Sequence, residues 1–156
     1  MKLNKPYTNA QYADLAVYCN KNGKVIEDKG DYLEAVNPPE PTFDELKEQK
    51  HTELKNTMKK KRSVLTVEYN EDTFDANEDA QANMIVLLKS FDLGATSVSI
   101  RSTTEQTHTF NKEHTQELSM LMLQAVNNLY SKYWEYKDAL YNCKTIEEVE
   151  AISWKD

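Results

Sequence analysis

Two histidines and a carboxylate lie close together in the second half of the chain and could in principle bind a metal ion. They are His108, Glu113 and His114, and imidazole with carboxylate is a ligand set that zinc or manganese accepts. Their spacing matches no metal-binding signature. His108 falls on a predicted strand and His114 in the first turn of a predicted helix. A solvated or hydrogen-bonded role is therefore favoured, and neither a metal nor another cofactor is predicted.

A group of carboxylates just before this region could supply a calcium loop or the acid pair of a glycoside hydrolase. Its members are Asp72, Asp75, Glu78 and Asp79. The spacing lacks the alternating oxygen ligands and the central glycine of an EF-hand loop, and the acids of a glycosidase are recognised by their separation in space. Asp75 or Asn77 is expected to cap a helix that begins near Glu78. This explains Asp75 and Glu78, because anions favour helix N-termini.

The sequence contains none of the common short catalytic motifs. There is no GxSxG, GxxxxGK[ST], GxGxxG or HExxH pattern, and three glycines are too few for a phosphate-cradling loop. The two cysteines, Cys19 and Cys143, are far apart and form no CxxC pair, which fits a reduced, cytosolic protein. No catalytic residue is therefore predicted.

The overall composition is that of an acidic globular protein. Hydrophobic residues make up 39% of the 156 residues, so a core can form, and the net charge is −7. This charge argues against nucleic acid or an anionic membrane as a partner. The basic run Lys59–Arg62 is interpreted as the C-terminal turn of a helix, where cations are favourable. No signal peptide or membrane span is expected.

The sequence predicts a small N-terminal unit at 1–36, a proline-rich linker at 37–41 and an α+β domain at 42–156. The first unit is read as αββ, with a helix over Ala10–Asn22 that Gly23 ends, followed by a hairpin of Lys24–Asp28 and Asp31–Val36. Prolines at 38, 39 and 41 fix φ and remove amide donors. They therefore mark the best boundary in the chain.

The second domain is predicted to contain three helices of ten residues or more and two hairpins. A helix over Thr42–Arg62 has a thin apolar face and is interpreted as a spacer or stalk. Two β-hairpins are expected to form a small antiparallel sheet, with a packing helix over Glu78–Phe91 between them in sequence. The hairpin strands are Val64–Tyr69 with Thr73–Ala76, and Thr96–Ser102 with Thr107–Asn111.

The last long helix, Lys112–Cys143, has the strongest periodic pattern in the chain. Apolar residues spaced four and three apart form a heptad seam, and a second stripe lies beside it. The seam serves either as internal packing or as a candidate self-assembly surface between copies. The seam consists of Met122, Val126, Leu129, Tyr133, Tyr136, Leu140 and Cys143, and the second stripe of Leu123, Tyr130, Trp134 and Tyr141. A short helix capped by Thr145 follows.

Four segments that occur in a fixed order carry a family resemblance. They are Val67–Asn70, Phe74–Ala82, Gly94–Ile100 and Thr145–Trp154. Together they resemble a domain family of unknown biochemical function that recurs in tail and tail-fibre-associated proteins of tailed bacteriophages and prophages, over about Thr42 to Trp154. The resemblance implies a virion-tail location after synthesis in the host cytoplasm. It also implies other tail or fibre proteins as partners, and it supplies no family active site.

The sequence therefore favours a non-enzymatic structural or accessory tail protein that acts by protein contacts and could form homo-oligomers. One alternative is a cytoplasmic tail-fibre assembly chaperone that is absent from the virion. A small hydrolase acting on surface glycan is the enzymatic alternative, with Asp75 and Glu78 as its best candidate acids.

Overall fold

The computed structural model describes residues 1–155 and divides the chain into two compact units. The first is Met1–Thr42, and the second begins at Phe43, directly after the proline-rich segment. The described residues form five α-helices and seven β-strands. The predicted α+β class is confirmed. No helix in this part of the chain is both long and apolar enough to cross a membrane.

The N-terminal unit is a three-stranded antiparallel sheet with one helix against it. Its elements are β1 (Lys2–Asn4), α1 (Asn9–Lys21), β2 (Val25–Asp28) and β3 (Tyr32–Val36). The strand order is β1-β3-β2, and the buried side chains Leu15, Cys19, Leu33 and Ala35 form its core. The prediction of an αββ unit missed β1, because a three-residue strand is too short to show alternation.

Both ends of α1 are capped by local side-chain and backbone bonds. Thr8 and Gln11 form a capping box at the N-terminus. At the C-terminus Gly23 has φ of +61°, and the Lys24 amide donates to the Cys19 carbonyl at 2.9 Å. This is the hydrogen bond of a Schellman motif. The predicted role of Gly23 is thus confirmed.

The second unit is assembled around one long helix. Helix α4 contacts α2, α3, β4 and β7. The element bounds are α2 (Phe43–Ser63), β4 (Thr66–Tyr69), β5 (Asp72–Asp75), α3 (Glu78–Asp92), β6 (Val98–Arg101), β7 (Thr107–Phe110), α4 (Lys112–Asn142) and α5 (Ile146–Ala151).

The second unit has two apolar clusters, which lie at different positions along α4. The helical core joins α2, α4 and α5 through Leu54, Met58, Leu129, Tyr133, Leu140, Cys143 and Val149. The hairpin core joins the hairpins, α3 and the first half of α4 through Phe74, Ala76, Met84, Phe110, Leu118 and Met122. Each cluster buries α4 on the same side.

The interpretation of α2 as a stalk is wrong. Leu54 is 1% exposed and Met58 is 7% exposed, and both belong to the helical core. The Lys47 ammonium also donates to the Tyr141 carbonyl at 3.1 Å. A few apolar residues of α2 are enough to pack it into the core, because α4 supplies most of the apolar surface of this cluster. The Lys and Glu residues of α2 lie mainly on its outer side.

The sequence predicts that the two hairpins form one small antiparallel sheet, but they form two separate two-stranded sheets. Asn70 and Glu71 have φ of +51° and +66°, the positive values that a type I′ turn between β4 and β5 requires. The Thr103 amide donates to the Thr73 carbonyl at 2.8 Å and links one hairpin to the other. Thr103 lies in the turn beyond β6, so the hairpins meet through that turn without strand pairing.

Candidate functional site

A polar cluster at the junction of the two hairpins contains the residues whose chemistry is most reactive. Asp72 begins β5, Ser102 and Thr104 lie in the turn between β6 and β7, and His108 lies on β7. His108 Nε2 is 2.8 Å from Asp72 Oδ2, and the Thr104 hydroxyl donates to Asp72 Oδ1 at 3.0 Å. We call these four residues the hairpin junction.

The hairpin junction is organised around the Asp72 carboxylate. Hydrogen bonds from Ser102 and His108, and then from the Thr73 amide and Thr104, hold the pKa of Asp72 well below its usual range, although desolvation opposes the shift. The Asp72 side chain is 11% exposed and that of His108 is 24% exposed. The carboxylate therefore stays ionised under all ordinary conditions.

The geometry of the hairpin junction suits a structural link between strands. In a nucleophilic triad the serine hydroxyl bonds the histidine, and the carboxylate bonds the other ring nitrogen. Here the Ser102 hydroxyl lies 2.9 Å from the Thr104 hydroxyl, and Ser102 is itself 5% exposed. The Asp72 oxygens are occupied by donors from both the turn and β7. The arrangement can therefore fasten one hairpin to the other.

Replacing Asp72 by Asn is expected to lower the melting temperature at pH 7 by about 5 °C. The folded-state pKa is depressed, so the ionised carboxylate stabilises the fold above the unfolded pKa of about 3.9. That contribution is lost as pH falls from there through the folded-state value. Thermal unfolding of both proteins between pH 7 and pH 2 should show the difference shrinking only below about pH 4.

Glu71→Gln is the matched control, since it removes the same charge from the exposed neighbouring residue. It should leave the melting temperature within about 1 °C of the wild type. A gap between Asp72→Asn and wild type that stays constant down to pH 2 would show that the charge of Asp72 is not what links the hairpins.

Glu113 and His114, which the sequence analysis weighed as metal ligands together with His108, do not join it in a metal site. The His114 ring packs against Tyr69 and Phe110, with ring centroids 6.2 and 6.0 Å apart. His108 stacks on Phe110 at 5.7 Å. Within residues 1–155 no three His, Cys, Asp or Glu side chains come close enough together to hold a metal ion.

A second polar contact connects β4 to α4. The Tyr69 hydroxyl donates to the Glu117 carboxylate. Desolvation first, and then this hydrogen bond, raise the pKa of Tyr69 to about 12. The phenol is therefore a proton donor at every physiological pH. The contact anchors the first hairpin to the long helix.

Of the carboxylates expected at the N-terminus of α3, some lie in its first turn, but none is the N-cap residue. Asn77 is the N-cap of α3, and its Oδ1 accepts from the Ala80 amide at 3.0 Å. Glu78 and Asp79 lie in the first turn of α3, where negatively charged side chains are stabilising. Asp75 is exposed at the end of β5 and precedes the cap by two residues. The sequence had left Asp75 and Asn77 as alternative caps, and the structure selects Asn77.

The heptad seam lies in the protein's own interior. Five of its residues, Met122, Leu129, Tyr133, Leu140 and Cys143, are at most 9% exposed. Met122 belongs to the hairpin core and the other four to the helical core. The remaining members, Val126 and Tyr136, are half-buried, and Tyr136 packs on Trp154.

The second stripe of α4 is exposed. Leu123, Trp134 and Tyr141 are between 49% and 55% exposed, while Tyr130 is half-buried and packs against the helical core. Met120, which the sequence had not grouped with them, is 63% exposed. The long helix thus has one apolar seam inside the fold and a sparser apolar stripe on its surface.

Two side chains of α2 have roles that the sequence did not indicate. Arg62, the last residue of the basic run, is 7% exposed and donates through Nη1 to the Ala76 carbonyl at 2.6 Å. His51 Nε2 is 3.1 Å from the Tyr133 hydroxyl. Neither partner lies near in sequence, so no local pattern could have revealed the contact.

The architecture defines the second unit as a small α+β domain built on one long helix, with its chemically reactive groups bonded to one another. A family model for a domain of unknown function, DUF4376, matches residues 45–153. The chain belongs to this family, since the match covers more than half of its length. The match spans both cores and the hairpin junction. No curated protein and no solved structure matches the chain significantly.

Proposed function

We propose that this chain is a non-enzymatic structural or accessory protein of a tailed phage or prophage tail, associated with the fibre, and that it works through protein contacts. The observation that carries the proposal is the exposed stripe of α4. Side chains as large as Met120 and Trp134 are more than half exposed on a helix that is otherwise well packed. Exposed apolar and aromatic groups of this kind characterise protein interaction surfaces.

The placement of the titratable groups also supports a role in contacts. Asp72 is bonded to His108 and to Thr104 in the turn of the second hairpin. Tyr69 and Glu117 are likewise paired. These groups stabilise the fold, so the proposal rests on the exposed apolar side chains of α4.

The tail location rests on the resemblance of Val67–Asn70, Phe74–Ala82, Gly94–Ile100 and Thr145–Trp154 to tail-associated domains. The matched family has no assigned function, so the location is part of the proposal. The partners would then be other tail or fibre proteins, and the protein would reach the virion from the host cytoplasm. A net charge of −7 argues against nucleic acid as the partner.

Quantitative mass spectrometry of purified particles of the encoding phage tests this proposal. A structural protein is expected at an integral number of copies per tail, comparable with the fibre protein. Absence from washed particles, together with co-purification with fibre chains from infected cells, would establish the alternative of an assembly chaperone. Absence from both preparations would contradict both functions.

A further inference from the structure

The two hairpins separate beyond the point where they touch. The Thr103 amide and hydroxyl both donate to the Thr73 carbonyl, at 2.8 and 3.1 Å. Antiparallel pairing continued from this link would place Asp75 opposite Arg101, but β5 pairs with β4 alone and β6 with β7 alone. An open groove of about 510 Å³ lies here instead. We call it the hairpin groove, and its walls include Asp75, Ser99 and Arg101 on the strands and Asp79, Asn83 and Val86 on α3.

The edge of β6 that lines the hairpin groove has free backbone groups. The Ser102 amide donates to the Gln106 carbonyl at 2.9 Å, so these two residues form a hydrogen-bonded pair of the hairpin. Bonded and non-bonded pairs alternate along an antiparallel ladder. The amides and carbonyls of Ser99 and Arg101 therefore point away from β7. Because β6 pairs with β7 alone among the described strands, these four groups have no strand partner.

The β5 side of the groove follows the same alternation. The Ala76 amide donates to the Leu65 carbonyl at 2.7 Å, so the backbone groups of Thr73 and Asp75 point away from β4. The bond from Thr103 to the Thr73 carbonyl agrees with this direction. The hairpin groove therefore lies between two strand edges, and an unpaired strand edge is a template for an added strand.

We propose that the hairpin groove binds an extended, positively charged peptide segment of a partner protein, which adds as a strand to the free edge of β6. The proposal rests on the proposed function, since it names a binding site and a class of partner for a protein that works by contacts. The free amides and carbonyls of Ser99 and Arg101 would hold the peptide backbone, as in other cases of strand addition. A segment of about five residues spans about 17 Å and covers this edge.

Carboxylates on the groove walls select the charge of the partner. Asp75 and Asp79 are exposed, and neither forms an ion pair within residues 1–155. Arg101, the cation in the lining, is already paired with Glu105, with Nε 2.9 Å from Oε2. A lysine or arginine of the partner can therefore bond these two carboxylates without displacing a residue of this chain. An anionic segment would be repelled.

The α3 wall of the groove offers an apolar contact beside these carboxylates. Val86 is 67% exposed, and Leu87 next to it is half-buried. Both line the groove. An aliphatic side chain of the added strand would cover them and remove apolar surface from water. The partner segment is therefore expected to combine Lys or Arg with Val, Ile or Leu.

A second copy of this chain does not supply such a segment. Its basic run, Lys59–Arg62, lies within the helix α2 and is not extended. Arg62 is also buried in its own fold. The net charge of −7 adds repulsion between copies. The occupant is therefore a different protein.

Selection from a library of random seven-residue peptides on the immobilised full chain provides the probe. The enriched peptides are expected to contain Lys or Arg together with aliphatic residues. Fluorescence anisotropy then gives the dissociation constant of the most enriched peptide. A library from which nothing is enriched, or from which the enriched peptides lack Lys and Arg, would overturn the proposal.

Removing the two wall carboxylates tests the choice of a basic partner. Asp75→Asn combined with Asp79→Asn is expected to raise the dissociation constant of the selected peptide about tenfold at low salt, and less at about 1 M salt. Asp14→Asn combined with Asp138→Asn removes the same charge from exposed positions elsewhere. This control should change the constant by about twofold or less. Equal constants for the two double variants would overturn the proposal.

A proline on the free edge of β6 tests the added strand. Ser99→Pro removes an amide that points away from β7, a place where an edge strand tolerates proline. It should weaken peptide binding about tenfold or more. Thr109→Pro is the matched control, because Thr109 lies opposite Ser99 and its amide points to the other edge of the hairpin. Equal weakening by both prolines would contradict strand addition at β6.

Hydrogen exchange on the wild-type chain gives the same test without a substitution. The amides of Ser99 and Arg101 are expected to exchange more slowly when the selected peptide is bound. Those of Thr107 and Thr109, on the opposite edge, should keep their rates. Protection that is absent from Ser99 and Arg101 would overturn the proposal even if the peptide binds.

These results are separable from the outcome of the virion experiment. A chain that binds no peptide in the hairpin groove but is present in virions at a fixed copy number would overturn the groove proposal and leave the proposed function standing. Peptide binding at β6 by a chain that is absent from virions would support the groove as a binding site while removing the structural role.

Discussion

Leu129→Glu is expected to destabilise the second unit by about 4 kcal/mol, close to the whole stability of many domains of this size. Leu129 is 9% exposed in the helical core, among Leu54, Met58 and Tyr133. A carboxylate at this position loses the apolar contacts of leucine and is desolvated without a partner. Urea denaturation followed by circular dichroism measures the change.

Asn128→Glu is the control for this prediction. It places the same side chain one residue earlier on α4, at an exposed position. The expected change in the free energy of unfolding is within about 0.5 kcal/mol. If Leu129→Glu instead kept full stability and only reduced the mass of an oligomer, the seam would lie between copies and the helical core described above would be incorrect.

The long helix shows how far periodicity could predict this fold. The bounds of α4 were predicted almost to the residue, and Asn111 caps its first turn. The pattern also showed two apolar stripes, Met122 to Cys143 and Leu123 to Tyr141, but periodicity does not say which stripe meets the rest of the chain. The tertiary structure determines which stripe is buried, because α2 packs antiparallel to α4 along one side of it. This packing places Lys47 near Tyr141.

The hairpin junction could not be predicted from local pattern for a different reason. His108 was recognised as a reactive residue, and Asp72 was recognised as a carboxylate, but 36 residues separate them. Both lie on four-residue strands, and the two hairpins meet through a turn and not through paired strands. Short strands give weak signals, and contacts between turns give none. The pairing of His108 with Asp72 is therefore visible only in three dimensions.

The strand β1 was missed for a related reason. Lys2 and Asn4 pair with Glu34 and Tyr32, about thirty residues away. β1 pairs with the edge of β3 that β2 leaves free. A strand of three residues is too short to show the alternation of apolar and polar residues by which strands are predicted. By contrast, the β2–β3 hairpin was predicted correctly, because Lys29 and Gly30 separate two alternating runs.

Arg62→Met is expected to lower the free energy of unfolding by about 2 kcal/mol. The Arg62 guanidinium bonds the carbonyl of Ala76, a fully buried residue between β5 and the cap of α3. Gln81 Nε2 also donates to this carbonyl at 3.0 Å. Methionine keeps much of the apolar stem of arginine but removes the charged donor, so the loss reports the hydrogen bond between the end of α2 and the start of α3.

Two further variants separate this hydrogen bond from the general effect of positive charge on the helix end. Lys59→Met removes the same charge from an exposed position in the same run, and it should change stability by about 0.5 kcal/mol or less. Arg62→Lys keeps the charge but shortens the reach to the Ala76 carbonyl, so an intermediate loss is expected. Equal losses for Lys59→Met and Arg62→Met in urea denaturation would mean that the basic run acts only through the helix dipole. A loss confined to Arg62 would mean that this arginine joins the helical core to the hairpin core.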